Sequence, residues 1–145
     1  MTHSLSTLLV LVLLASCGST AEQSVTSEPR DRWESAGVVD YEMTYGWSCE
    51  CSEQSGGPFH VTVEDGVITS FVHVRGVPLN GDSRPLTVID LFDRADQGRD
   101  LYGDDTEFTF DEELGYPTHI SLGVSEQPAD GGESLRVIEF TVSGR

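Results

Sequence analysis

Apolar and polar residues alternate between positions 39 and 47 of the chain. The odd-numbered positions carry the apolar side chains Val39, Tyr41, Met43, Tyr45 and Trp47. Acidic or hydroxyl-bearing residues occupy the even positions from 40 to 44. A period of two over this length is typical of a strand with one face in the core. This segment is therefore the first strand that the sequence predicts.

A tight turn is predicted at Asp65-Gly66. An Asp-Gly pair between two apolar runs is typical of a two-residue hairpin loop, and the runs here are residues 58–64 and 67–75. With these two residues as the turn, Val63 lies opposite Ile68. Phe59 then lies opposite Val72, and this side of the hairpin faces the core.

The same register places His60 and His73 on the outer face of the hairpin as a diagonal pair. Diagonal neighbours lie about 7–8 Å apart, within reach of one metal ion if a third ligand helps. Cys49 and Cys51 point to the other face by parity, so a mixed site is not expected. We interpret the two histidines as ordinary surface residues, and the sequence predicts no metal ligand.

The second half of the chain begins with a predicted helix. Thr87 is followed three residues later by Asp90, a spacing that favours a helix N-terminus. We expect this helix to end near Gln97-Gly98. Three further strands are predicted at residues 107–111, 116–124 and 135–142, with a turn at 112–115 between the first two. The predicted apolar face of the helix consists of Val88, Leu91, Phe92 and Ala95.

The order of these elements predicts the fold class. A first short helix, over residues 30–36 and ended by Gly37, precedes the first three strands. The order is then helix, three strands, helix, three strands. We expect an α+β fold, with an antiparallel sheet of about six strands and two short helices on one face.

Charge excludes several classes of partner. The 145 residues include 25 acidic and 8 basic side chains, for a formal net charge of −17, and every basic residue is Arg. A nucleic-acid interface needs a basic face, and so does docking on anionic lipid headgroups. The most acidic stretch, residues 90–105, lacks the spacing of a calcium-binding EF-hand. Because Asp93, Asp96 and Asp100 fall at helical steps, we interpret this stretch as a solvated helix face.

No catalytic motif is present in the sequence. The G-x-S-x-G, Walker and H-E-x-x-H patterns are all absent. Hydrolysis by a pair of carboxylates stays open in a chain with 25 acidic residues, but no pair is singled out. The sequence therefore predicts a protein that is not an enzyme and that uses no cofactor.

The N-terminus predicts export. Residues 8–15 form an apolar run that is too short to span a bilayer of about 30 Å and is typical of a secretory signal peptide. The segment Leu14-Ala15-Ser16-Cys17 resembles the lipobox of bacterial lipoproteins. That resemblance implies cleavage before Cys17 and attachment of a diacylglycerol to its sulfur. The alternative interpretation is a buried N-terminal strand that contains a cysteine.

The lipoprotein interpretation divides the chain into three parts. Residues 1–16 are the signal peptide, residues 17–29 are the lipidated cysteine with a small, polar, flexible tether, and residues 30–145 are a single α+β domain. The expected location is the cell envelope, with the membrane reached through the N-terminal lipid. Gly18 stands where many lipoproteins of the inner membrane have Asp, which implies the periplasmic face of the outer membrane in a cell that has one.

Cys49 and Cys51 remain once Cys17 carries the lipid. An even number of cysteines in an oxidising compartment favours a disulfide. Residues two apart in a flat strand have Cα atoms about 6.6 Å apart, near the limit for a bridge, so the strand would have to bend there. Two alternatives stay open: a pair that exchanges disulfides with client proteins, and free buried thiols. Glu50 and Glu53 do not provide the basic surroundings that activate a thiol.

Residues 33–142 resemble a bacterial domain family of unknown function that occurs in small secreted and lipid-anchored proteins. The resemblance rests on Trp33, on the Tyr-x-x-x-Cys-x-Cys motif that begins at Tyr45, and on Gly115-Tyr116-Pro117. It implies a compact sheet domain in the cell envelope and carries no activity.

The function that the sequence favours is that of a lipid-anchored envelope module. It would bind another envelope protein or envelope component without chemistry of its own, and it would not bind nucleic acid. The alternatives are a thiol–disulfide or redox-sensing protein that uses Cys49 and Cys51, and a binder of divalent metal ions.

Overall fold

The first and last strands of the domain pair at the centre of one six-stranded antiparallel sheet. The computed structural model describes residues 24–48, 53–123 and 132–144. The strands lie in the order β3-β2-β1-β6-β5-β4. In chain order the elements are α1 (Ser27–Ala36), β1 (Tyr41–Ser48), α2 (Glu53–Gly56), β2 (Phe59–Glu64), β3 (Val67–His73), α3 (Val88–Tyr102), β4 (Thr106–Phe110), β5 (Pro117–Leu122) and β6 (Glu133–Val142). The predicted α+β class and the order of helices and strands are confirmed, with α2 as a single helical turn.

The hairpin of β2 and β3 starts in the predicted register and then departs from it. Asp65 and Gly66 both have positive φ, 51° and 75°, as a two-residue turn requires, and Val63 lies opposite Ile68. The register shifts by one residue between Thr62 and Val63, so Phe59 lies opposite His73 rather than Val72.

This β-bulge overturns the predicted pairing of the two histidines. A slip of one residue moves side chains to the other face of a strand. His73 is therefore buried, with its ring edge toward Phe59 and the ring centroids 5.4 Å apart. Val72 takes the outer position and is 48% exposed. His60 remains on the outer face, so the histidines lie on opposite faces of the sheet.

Helix α1 begins three residues before the predicted start, at Ser27, and ends at Gly37 as expected. The earlier start follows from Thr26, which is fully buried and donates a hydrogen bond from its hydroxyl to the Asp96 carboxylate, 2.7 Å away. Arg30 in α1 also pairs with Asp93 in α3. The last residues of the predicted tether thus belong to the folded unit, and Asp96 joins the two long helices.

Helix α3 has the predicted cap but extends beyond its predicted end. The Thr87 hydroxyl accepts from the Asp90 backbone N–H, and the Asp90 carboxylate accepts from the Thr87 N–H. The helix continues past Gly98 to Tyr102. Gly98 does not end the helix; it packs directly against Leu122, and a Cβ at this position would overlap the Leu122 side chain. Its lack of a side chain lets α3 pack closely on β5.

The core lies between the two long helices and one face of the sheet. At its α1 end, the edge of the Trp33 ring points toward Tyr41 and Phe140, with centroids 5.6 and 5.9 Å away. The buried apolar residues are Trp33, Tyr41, Met43, Tyr45, Phe59, Val61, Val63, Val88, Leu91, Phe92, Ala95, Ile120, Leu122 and Leu135.

Two buried phenols of β1 position the chain that enters α3. The Tyr41 hydroxyl accepts a hydrogen bond from the Val88 N–H at 2.9 Å. The Tyr45 hydroxyl donates to the Arg84 carbonyl at 2.6 Å and accepts from the Leu86 N–H at 3.1 Å. Burial raises the pKa of both phenols above its ordinary value, against the opposing effect of the backbone N–H donors.

We expect Tyr45→Phe to lower the free energy of unfolding by about 1–3 kcal/mol, because the Arg84 carbonyl and the Leu86 N–H would each lose their hydrogen bond to the phenol. Urea unfolding measures the change. Tyr102→Phe is the matched control, since Tyr102 is 44% exposed, and it should change stability by less than about 0.5 kcal/mol. Equal stability of Tyr45→Phe and the wild type would contradict this account of the phenol.

The same variant should flatten the alkaline side of the stability profile. The phenol of Tyr45 ionises in the unfolded chain near its ordinary pKa of about 10 and at higher pH in the folded protein. Its contribution is therefore complete below about pH 10 and is lost as pH rises above that value. Since the chain has no Lys, lysines add nothing to this limb. Parallel alkaline limbs of wild type and variant would be inconsistent with the raised pKa.

Candidate functional site

The face of the sheet opposite the two long helices is uncovered in the part of the chain that the structure describes. We call it the open face. Its side chains are mostly polar, in contrast to the aromatic and aliphatic core face. In strand order from β3 to β4 they are Ser70, Val72, His60, Thr62, Glu42, Thr44, Ser134, Arg136, Glu139, Thr141, His119, Ser121, Glu107 and Thr109.

A cross-strand row on the open face contains one arginine with no acidic neighbour in the row. Arg136 of β6 lies opposite Gly46 of β1 on one side and His119 of β5 on the other. Burial lowers the pKa of His119, the charge of Arg136 lowers it further, and Glu107 acts in the opposite direction. The lowered pKa favours the uncharged form of the histidine at neutral pH. Its Nε2 lies 2.7 Å from the Ser134 hydroxyl.

A groove lies beside this row, where the end of β1 and the start of β6 meet the turn before β2. It is a shallow, open depression of about 440 Å³. Its polar lining consists of Ser48, Ser134, Arg75 and Arg136. Its apolar lining consists of Trp47, Pro58 and Ile138, and three glycines (Gly46, Gly56 and Gly57) complete it.

Trp47 lies opposite the buried Leu135 in the pairing of β1 with β6, so its indole is on the helix side of the sheet, away from the open face. The Trp47 indole N–H donates to Glu133 Oε2 at 3.1 Å, and the Arg94 guanidinium lies 4.4 Å above the indole ring. Arg94 also forms an ion pair with Glu133. A cation over an indole face and a charge-assisted hydrogen bond both fix the ring, so this end of β1 is anchored to α3.

The predicted sulfur sites lie outside the described residues. Cys49 and Cys51 fall between Ser48 and Glu53 in the sequence, and Cys17 falls before Ser24. The disulfide, the redox pair and the lipidation site therefore stay predictions.

The residues considered as metal ligands either lie apart from one another or pair with other side chains. His60 lies with its Nδ1 3.0 Å from the Thr44 hydroxyl, and His73 lies in the core on the other face. In the acidic stretch, Asp93 and Asp96 pair with Arg30 across the helix interface. Within residues 24–48, 53–123 and 132–144, no three His, Cys, Asp or Glu side chains meet in a way that could hold a metal ion.

Sequence reasoning missed Gly46 and Arg136. Gly46 interrupts an otherwise alternating strand, and a glycine inside a strand often marks a close approach of a ligand or another backbone. That glycine was the available signal. The position of Arg136 beside it depends on the pairing of β1 with β6, which local periodicity does not reveal.

No helix in the described ranges is long and apolar enough to cross a membrane. Comparisons with curated proteins and with solved structures yield no match. A family model described as "Family of unknown function (DUF6174)" matches residues 26–142. The match runs from the buried Thr26 to the end of β6 and so includes every strand and both long helices. The chain belongs to the DUF6174 family.

Proposed function

We propose that the protein is a lipid-anchored module of the cell envelope that binds another envelope component through the open face. One observation carries the proposal: the helices cover a single face of the sheet, and the other face presents a polar surface with a groove. Cys17 and the polar segment after it would attach this surface to a membrane at a distance set by the tether.

The structural roles of the enclosed carboxylates support binding rather than catalysis. Asp90 caps α3, Asp96 joins the two long helices, and Glu133 holds Trp47 and Arg94. Removing any of these groups from its partners to serve as an acid or base would cost fold stability. The acidic residues are thus mainly accounted for by the fold and by solubility.

Affinity capture from detergent-solubilised envelopes tests the proposal. The lipidated full chain is the bait, beside Ser121→Arg on the open face and Ser35→Arg on the exposed side of α1 as its matched control. We expect one stoichiometric partner, retained by Ser35→Arg and lost by Ser121→Arg, because a long charged side chain in the contact surface blocks docking.

The Cys17→Ser chain separates anchoring from binding. It should leave the detergent-rich phase on partitioning, since it lacks the acyl chains, and it should still bind the partner when that partner is supplied in solution. Capture that is equal for the two arginine variants, or that is lost only in Ser35→Arg, would contradict the open face as the binding surface.

One contact favours a second candidate function. A neutral His119 with its Nε2 2.7 Å from the Ser134 hydroxyl has the geometry of a base beside a serine nucleophile. In the described residues no carboxylate is hydrogen-bonded to the other ring nitrogen, which a triad would use to orient the base. We therefore rank hydrolysis below binding.

A fluorophosphonate probe, which labels activated serines, tests this alternative. We expect no labelling, because Ser134 has no oriented base. Labelling of the wild type that disappears in Ser134→Ala and in His119→Gln, and persists in Ser121→Ala, would establish the hydrolytic function instead.

A further inference from the structure

The groove concentrates positive charge on a strongly acidic protein. The chain has 8 basic residues against 25 acidic ones, yet two of the eight arginines, Arg75 and Arg136, line this one groove. At physiological salt, exposed charges farther away than about 8 Å are largely screened. A ligand inside the groove therefore responds to these guanidinium groups more than to the net charge of the domain.

Arg136 differs from most of the described arginines, because none of the described carboxylates pairs with it. Arg30, Arg32, Arg94 and Arg99 form ion pairs with described carboxylates, and Arg75 also has an interaction partner. No described carboxylate forms an ion pair with Arg136, and its cross-strand neighbours are Gly46 and the neutral His119. Opposite charges in a sheet commonly lie at directly neighbouring cross-strand positions. Neither of these two positions beside Arg136 carries a carboxylate, which leaves room for the anionic group of a ligand.

Hydroxyl and apolar groups surround this guanidinium. When the Nε2–H of His119 donates to the Ser134 oxygen, the Ser134 O–H can donate into the groove. Ser48 offers a second hydroxyl, and Pro58 and Ile138 supply apolar surface. Gly46 leaves this part of the groove open, because a Cβ at this position would project into it and lie 3.5 Å from the Ile138 Cδ1 atom.

From this arrangement we infer that the groove binds an oxyanion, a carboxylate or a phosphate, carried on an apolar group. Arg136 is its main counter-charge, since guanidinium groups bind both oxyanions through two parallel hydrogen bonds. Ser134 donates to the same group, and the apolar body lies against Pro58 and Ile138. This inference rests on the proposed binding function and names the chemistry of its ligand.

Isothermal titration calorimetry with the purified full chain in mild detergent tests the inference. N-acetylphenylalanine supplies a carboxylate on an apolar body, phenyl phosphate supplies a phosphate, and N-acetylphenylalaninamide is the uncharged control. We expect at least one anion to bind, and the amide to bind at least about tenfold more weakly. Binding of only one anion identifies which oxyanion the groove accepts.

Three variants localise the binding. Arg136→Gln removes the counter-charge, and Gly46→Val fills the groove where a Cβ makes only ordinary contact. Arg84→Gln is the matched control, because it removes the same charge from an exposed arginine that does not line the groove. We expect at least about a tenfold loss of affinity in the first two and less than about a twofold change in the third. Circular dichroism verifies that each variant is folded.

The outcomes separate this inference from the proposed function. It is overturned if neither anion binds at about 10 mM, if the amide binds as well as the anions, or if Arg84→Gln weakens binding as much as Arg136→Gln. A captured envelope partner whose affinity is unchanged by Arg136→Gln would also overturn it while leaving the proposed function standing. Anion binding that depends on Arg136, with no partner captured through the open face, would support it while the proposed function fails.

Discussion

The hydroxyl groups of Tyr41 and Tyr45 determine where the helical layer lies. Both phenols project from β1, and β1 lies between β2 and β6 near the middle of the sheet. Their hydrogen bonds to Val88, Leu86 and Arg84 hold the chain at the point where it enters α3. Helix α3 in turn holds α1, since Asp96 binds the buried Thr26. The hydrogen bonds of this one strand therefore fix which face of the sheet the helices cover.

The opposite face carries no helix in the part of the chain that the structure describes. Three arginines near the helical layer, Arg30, Arg94 and Arg99, are ion-paired and hold elements together. Among the described residues Arg136 forms no ion pair, and it lines the groove on the open face. This difference between the two faces is the physical basis for proposing a binding module.

Local sequence patterns predicted the elements well because those patterns act over a few residues. Alternation marked β1, Asp65-Gly66 marked the hairpin turn, and the pair of Thr87 and Asp90 marked the start of α3. The errors came from tertiary contacts. The bulge near Thr62 turns His73 into the core. Gly98 lies inside α3 rather than at its end, and it is a glycine because Leu122 occupies the space that a side chain would fill. The groove could not be predicted, since it depends on β1 lying beside β6, far away along the chain.

Site-specific photo-cross-linking in cells that produce the lipidated protein tests the central claim most directly. A photoreactive residue replaces Thr62 on the open face in one chain and Asp31 on the exposed side of α1 in another. The account predicts a discrete cross-linked product from position 62 and none from position 31. A discrete product from position 31 alone would show that the helical face is the binding surface and would contradict the account.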